Sequence, residues 1–159
     1  MFEIGDKVVY PMHGAGVIEA IEEKEVLGER QRYYIMRMPI GDMRVMIPLA
    51  SVEHVGLRQV VDEEGIAQVI EVLQGKESDN MSSNWNRRYR TNMEKIKSGD
   101  ILEVAEVVRD LAIRDREKGL STGERKMLDS ARQILVSELA LAQNTTAEEV
   151  EQALDRLLS

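Results

Sequence analysis

Asn84-Trp85-Asn86-Arg87-Arg88-Tyr89-Arg90 holds the only tryptophan of the chain and three arginines, with no acid among them. How this stretch is read decides what the C-terminal part of the fold is. If Ser82 or Ser83 caps a helix here, Trp85, Tyr89, Met93 and Ile96 fall on one stripe at i, i+4, i+8 and i+11. That spacing predicts a helix, and such a stripe ordinarily faces a core. Arg87, Arg90 and Lys97 then lie on the opposite, solvated face, with Arg88 and Lys95 at its flank. The same residues support a second reading. Phosphate backbones attract clustered guanidinium groups, and exposed aromatic rings stack on or wedge between bases. From Ser82 to Lys97 there are five basic side chains (Arg87, Arg88, Arg90, Lys95, Lys97) against one acid, Glu94, in a chain of net charge −8. A basic island on an acidic body is directional in a way that a mixed surface is not. Both readings require the helix; they differ in where Trp85 points.

Working outward, helix signals surround this stretch. Asp62-Glu63-Glu64 opens a helix through Leu73, ended by Gly75, and the polar run Lys76 to Ser83 reads as a loop. After the arginine-rich helix stops near Ser98-Gly99, Asp100 starts a long one with Ile101, Val104, Val108 and Leu111 on its apolar face, ended by Gly119. Ser121-Thr-Gly-Glu124 is a capping box, in which the serine oxygen accepts from the N3 amide and the glutamate reaches back. Its helix runs to about Gln143. Thr146-Ala-Glu-Glu149 repeats the device for a last helix ending near Leu158. Leu135, Leu139 and Leu141, with Val150, Leu154, Leu157 and Leu158, are expected to build a helical core. These caps mark helix starts and by themselves say nothing about chemistry.

Before residue 56 the period is different. Lys7-Val8-Val9-Tyr10 is a short β-branched run closed by Pro11, and the small residues of His13-Gly14-Ala15-Gly16 mark a turn or bulge. Strands follow from Val17 to about Val26, from Arg32 to Met38 and from Met43 to Ile47. Leu27-Gly28-Glu29 and Pro39-Ile40-Gly41-Asp42 read as the turns between them, and Ser51 to Val55 as a short fifth strand. Short strands with tight turns suggest a small half-open barrel of the SH3 or Tudor type, whose exposed edge invites a partner strand. The fold class is therefore α+β in two domains. Residues 1–56 form the β domain, 57–61 a linker, and 62–159 a compact all-α bundle of about five helices.

Composition narrows the function. With 159 residues and a 43% apolar share the chain is globular rather than disordered, and without cysteine it has neither disulfides nor thiolate metal sites. The start, Met-Phe-Glu-Ile-Gly-Asp, is unlike a signal peptide and no apolar run is of bilayer length, so a soluble, cytoplasmic protein with no membrane partner is expected. A strongly acidic chain is no general nucleic-acid coat, so any such contact is local. His13 and His54 lie far apart with no metal-ligand spacing, and structural or surface roles account for them. The glycines at 14 and 16 lack the spacing of a dinucleotide fingerprint or P-loop. The acids at 62–64 suit a helix dipole. No residue supports a nucleophile motif, a metal or a cofactor. A hydrolase or ligand-binding domain would need a convergent polar pocket.

With barrel, linker and arginine helix placed, the sequence resembles the CarD/CdnL family of bacterial transcription regulators. The segments that carry the likeness are Gly5-Asp6-Lys7-Val8-Val9-Tyr10-Pro11-Met12-His13-Gly14, Asn84-Trp85-Asn86-Arg87-Arg88-Tyr89, Ala105-Glu106-Val107-Val108-Arg109-Asp110-Leu111, and Gly119 to Leu128 continuing into Ala131-Arg132-Gln133-Ile134-Leu135. The N-terminal part is also similar to the polymerase-interacting module of transcription-repair coupling factors. The resemblance implies a non-enzymatic regulator, acting as a monomer, whose barrel edge adds a strand to the β subunit of RNA polymerase. It implies that Trp85 wedges into the minor groove at the upstream edge of the melted bubble, without sequence specificity. Arg87, Arg88 and Arg90 are then expected on phosphates, with Asn86 and Lys126 also at DNA and Arg125 near it. The expected polymerase-binding edge is Met43, Arg44, Val45, Met46 and Ile47, with Lys24 and Arg44 as charged contacts. Many relatives carry a basic side chain where Met46 stands, so Arg44 or an apolar contact takes that place. The alternative is an adaptor that docks on polymerase and recruits another protein through its helical domain.

Overall fold

The computed structural model describes residues 1–78 and 84–159, with the backbone alone at Ile40. Strands β1 (Lys7–Tyr10), β2 (Gly14–Val26), β3 (Glu29–Met38), β4 (Met43–Pro48) and β5 (Arg58–Gln59) form one antiparallel sheet in the order β4-β3-β2-β1-β5. Val8, Ile18, Tyr34, Met36, Met38, Ile47 and Leu57 bury one face of it. Gly14-Ala15-Gly16, expected as a turn or bulge, opens β2 instead, pairing with Val8, Val9 and Tyr10. Smallness is still what the position demands: a Cβ at Gly16 would sit 2.6 Å from the carbonyl oxygen of Arg37. The turn lies one step earlier, at Met12, which takes φ +72°. Leu27 and Gly28, at φ +52° and +81°, make the tight β2–β3 connection, as a two-residue hairpin requires.

The fifth strand expected at Ser51–Val55 is replaced by a short helix, α1 (Val52–Val55), which Gly56 ends in the left-handed conformation. Pro48 stops β4, and two helical turns then carry the chain across the sheet end. The strand that does pair with β1 is β5, inside the stretch expected as a linker.

Five longer helices follow: α2 (Glu63–Leu73), α3 (Trp85–Lys97), α4 (Ile101–Glu117), α5 (Thr122–Ala142) and α6 (Ala147–Leu158). Each begins on a side-chain cap, from Asp62, Asn84, Asp100, Ser121 and Thr146 in turn. The cap of α3 is thus Asn84; Ser82 and Ser83, like the end of the expected 76–83 loop, lie outside the described residues. Ile101, Val104, Val108, Leu111, Leu135, Leu139, Val150 and Leu154 fill the helical core, with Leu157 and Leu158 packed partly buried against it. Leu141, expected in that core, is half-buried beside the sheet, where its carbonyl accepts from Lys7 Nζ at 2.9 Å.

Helix α5 also joins bundle to sheet. The Ala15 amide donates to Ser137 Oγ at 2.9 Å, and Gly14 lies so close that a Cβ there would meet that oxygen at 2.9 Å. Arg58 donates two 2.8 Å bonds to the carboxylate of Glu138 and a third, at 2.7 Å, to the Gly99 carbonyl. The Val61 amide completes the set, donating to Glu138 at 2.9 Å. Glu138 is 1% exposed, so it is tolerable only because these donors replace water.

Candidate nucleic-acid interface

The buried face of α3 meets the aromatic stripe only at its Ile96 end. Arg88, Asn92 and Ile96, spaced by four, point into the bundle, while Tyr89 and Met93 are half-buried at its flank. Trp85 is 42% exposed at the first turn. The helix is rotated relative to the packing reading, and the rotation puts the indole at the surface.

That indole is nevertheless held. Its ring stacks on Tyr89, with centroids 5.1 Å apart and 20° between planes. Its Nε1 donates to Ser121 Oγ, the N-cap of α5, at 2.9 Å. Gly123 leaves room beneath: a Cβ there would lie 3.5 Å from Trp85 Cζ2, in ordinary contact. Ser121 Oγ also accepts from the Glu124 amide at 3.2 Å and donates to Glu124 Oε1 at 3.3 Å.

Arg88, expected on phosphate, is the other side of this arrangement. Its side chain is 2% exposed and its Nε donates to Glu124 Oε2 at 2.6 Å, with Nη2 to Oε1 at 3.1 Å. A guanidinium so enclosed is not offered to DNA, and its role is to neutralise a buried carboxylate. Burial by itself would raise the pKa of Glu124. The hydrogen bond and charge of Arg88, then Ser121 and the charge of Arg114, outweigh it and hold the carboxyl below the ordinary glutamate range.

The remaining cations divide. Arg87, Arg90, Lys97 and Lys126 are exposed and make no ion pair among the described residues, and Asn86 is exposed beside them. Lys95 is tied to Glu106 at 2.9 Å, and Arg125 to Asp115 at 2.7 Å. Trp85, Asn86, Tyr89, Arg90, Met93, Glu94 and Lys97 line one shallow groove along α3. Arg90 and Lys97 thus share the groove of the indole with one acid, Glu94.

In the sheet, β4 is an outer strand, with its far backbone edge unpaired among the described strands. Met43 and Met46 are 57% and 42% exposed, and Val45 is half-buried. Ile47, expected among the contacts, is 1% exposed and turned into the sheet core. The alternation of an edge strand accounts for this. Arg44 is exposed but engaged: a bulge between Ile18 and Ala20 leaves Glu19 without a cross-strand partner, and Arg44 Nε donates to its carboxylate at 2.8 Å. The hydrogen bond from Arg44 lowers the pKa of Glu19. Lys24 is exposed on the β2–β3 hairpin, 3.6 Å from Glu22.

Residues 68–155 match the CarD C-terminal domain, and residues 2–61 match the CarD-like/TRCF RID domain, an RNA-polymerase-interacting domain. The chain belongs to the CarD family. Similar to this CarD-family chain is a Bacillus subtilis (strain 168) protein named "Putative transcription factor YdeB", 48% identical over 150 residues that cover 94% of this chain and 97% of that one. The solution structure of the 72-residue N-terminal domain of Myxococcus xanthus CarD is 36% identical over 37% of this chain and 79% of that one, with a TM-score of 0.33. The CarD assignment makes RNA polymerase a partner of the N-terminal domain.

Within the CarD-family chain, sequence reasoning missed Ser121, Glu124 and Gly123 as parts of the site. A capping box explains itself locally, so nothing in its four residues points to a tryptophan 36 positions away. The available signal was the buried i, i+4 row: Arg88 shares its spacing with Asn92 and Ile96, and an arginine on a core face needs an acid. His13 and His54 are both exposed, and no group of His, Asp and Glu among the described residues could hold a metal. No helix among them is long and apolar enough to cross a membrane.

Proposed function

We propose that this CarD-family chain is a monomeric transcription regulator that docks on the β subunit of RNA polymerase through β4 and stabilises the open promoter complex through Trp85. The observation that carries the reading is an indole 42% exposed, yet fixed by a hydrogen bond and a stack, near Arg87 and Arg90, which make no ion pair among the described residues. The exposed backbone edge of β4, with Met43 and Met46 outward and Val45 and Arg44 beside them, suits strand addition; Lys24 adds a charge on the neighbouring hairpin. The tether raises the local concentration of the helical domain beside promoter DNA, which an acidic protein would otherwise bind poorly.

Trp85 then enters the minor groove at the upstream edge of the bubble, where polymerase has already distorted the duplex. Unstacking one base step costs about a few kcal/mol, so the wedge acts where that cost has largely been met. It stabilises the open state by obstructing return of the fully stacked duplex. Arg87, Arg90 and Lys126 contact phosphates, with Asn86 beside them; Arg88 does not. Such contacts position the protein without reading sequence. Trp85→Ala is expected to leave folding and polymerase binding unchanged and to shorten the lifetime of open promoter complexes. An unchanged lifetime in a competitor-challenge assay removes the wedge.

A second reading has one observation in its favour, an apolar groove lined by Ile66, Ile70, Leu73, Leu139, Ala153 and Leu157. An adaptor would use such a surface to recruit another protein. Salt separates the two: phosphate contacts make promoter occupancy fall steeply with salt, and an apolar contact does not.

A further inference from the structure

We infer that the capping box of α5, Ser121 and Glu124, positions Trp85, fixing the indole in one pose before DNA is met. The inference rests on the wedge reading for its consequence, but its physical content belongs to the free protein.

A serine hydroxyl has one proton to donate and two lone pairs to accept with. Here all three are used: the proton goes to Glu124 Oε1, and the lone pairs take the Glu124 amide and the Trp85 indole N–H. Glu124 cannot turn away, because Arg88 clamps both of its oxygens inside the bundle. The hydroxyl therefore has one orientation, and that orientation leaves a lone pair for the indole. An N-cap alone would need only the bond from the Glu124 amide; the bond to Trp85 is additional to capping.

The pose has a direction. Tyr89 covers one face of the ring and the N–H edge is turned toward α5. The face covered by Tyr89 is not offered to a base, so the wedge is one-sided. A ring already ordered does not have to be immobilised on binding, and the saving for one large side chain corresponds to roughly a two- to tenfold effect.

The test uses Ser121→Gly and Ser121→Thr in the full chain. Glycine retains most of the capping preference but has no oxygen for the indole, whereas threonine restores the oxygen and the cap. Because the chain has one tryptophan, fluorescence anisotropy decay of the free protein reads this ring alone. Ser121→Gly should enlarge the fast depolarising component and speed exchange of the indole proton with solvent, and Ser121→Thr should return both to wild-type values. In open promoter complexes Ser121→Gly should shorten the lifetime roughly two- to tenfold, less than Trp85→Ala, again with recovery in Ser121→Thr. An indole equally restricted in Ser121→Gly overturns the inference. So does a loosened indole with an unchanged lifetime, provided Trp85→Ala shortens that lifetime. If Trp85→Ala has no effect the wedge reading falls, and the anisotropy comparison still decides whether the box orients the ring.

Discussion

Arg87 and Arg88 are neighbours in the chain and opposites in environment. Arg87 is exposed and makes no ion pair among the described residues; Arg88 is enclosed against Glu124. Removing one member of a buried pair leaves the other charged and unpaired, which costs about 3–5 kcal/mol. Arg88→Ala is therefore expected to destabilise the fold by about 3 kcal/mol in urea denaturation. Arg87→Ala and Arg90→Ala should stay within about 0.5 kcal/mol of wild type. In promoter binding the order reverses in kind: each of the two exposed arginines, when removed, should lower the slope of log affinity against log salt by about one. A polar row at 88 and 92 looks solvated when read as sequence, because the acid that draws Arg88 inward comes from another helix. Trp85 was legible as a singular residue, and its exposure was not, since the aromatic stripe and the buried row are offset by only about 60° around the helix axis.

At the scale of elements, α5 does two jobs at its first turn. It caps itself, and it supplies the acceptor and the floor for the indole. Gly123 is the floor, and its presence costs helix propensity. A methyl group there would meet Trp85 Cζ2 at 3.5 Å and Tyr89 Cε2 at 3.8 Å, which are ordinary contact distances. Gly123→Ala should thus raise stability by up to about 0.5–1 kcal/mol through reduced freedom of the unfolded chain, measured as a higher thermal midpoint with the indole still held. Four of the five helix starts were readable because a cap is local chemistry: Asp62, Asp100, Ser121 and Thr146 each bond an amide two or three residues ahead. The region 51–59 was not readable. Val52 and Val55 have β-branched side chains that suggest a strand, yet they form a helical turn, while Arg58–Gln59 pairs with β1 in a strand too short to show a period.

In the whole molecule, sheet and bundle are joined by a buried carboxylate rather than by a bare apolar seam. Arg58→Ala would leave Glu138 with the Val61 amide as its remaining described donor. A loss of about 3 kcal/mol is expected by urea denaturation. Replacing both partners by apolar residues, Arg58→Met with Glu138→Leu, should recover most of it, since an enclosed ion pair is seldom better than packed hydrocarbon.

Ser121, beside the indole, and Ser137, against the sheet, belong to the same uninterrupted helix and stand 16 positions apart, about 24 Å at the α-helical rise of 1.5 Å per residue. A stiff rod of that length acts as a gauge. Under the proposed wedge, a partner that grips the sheet would also set, through this rod, the spot in space where the aromatic tooth arrives. On that proposal the nucleic acid would have to accommodate the gauge, and promoters would be sorted by whether their path past the enzyme brings a pliable base step to that spot.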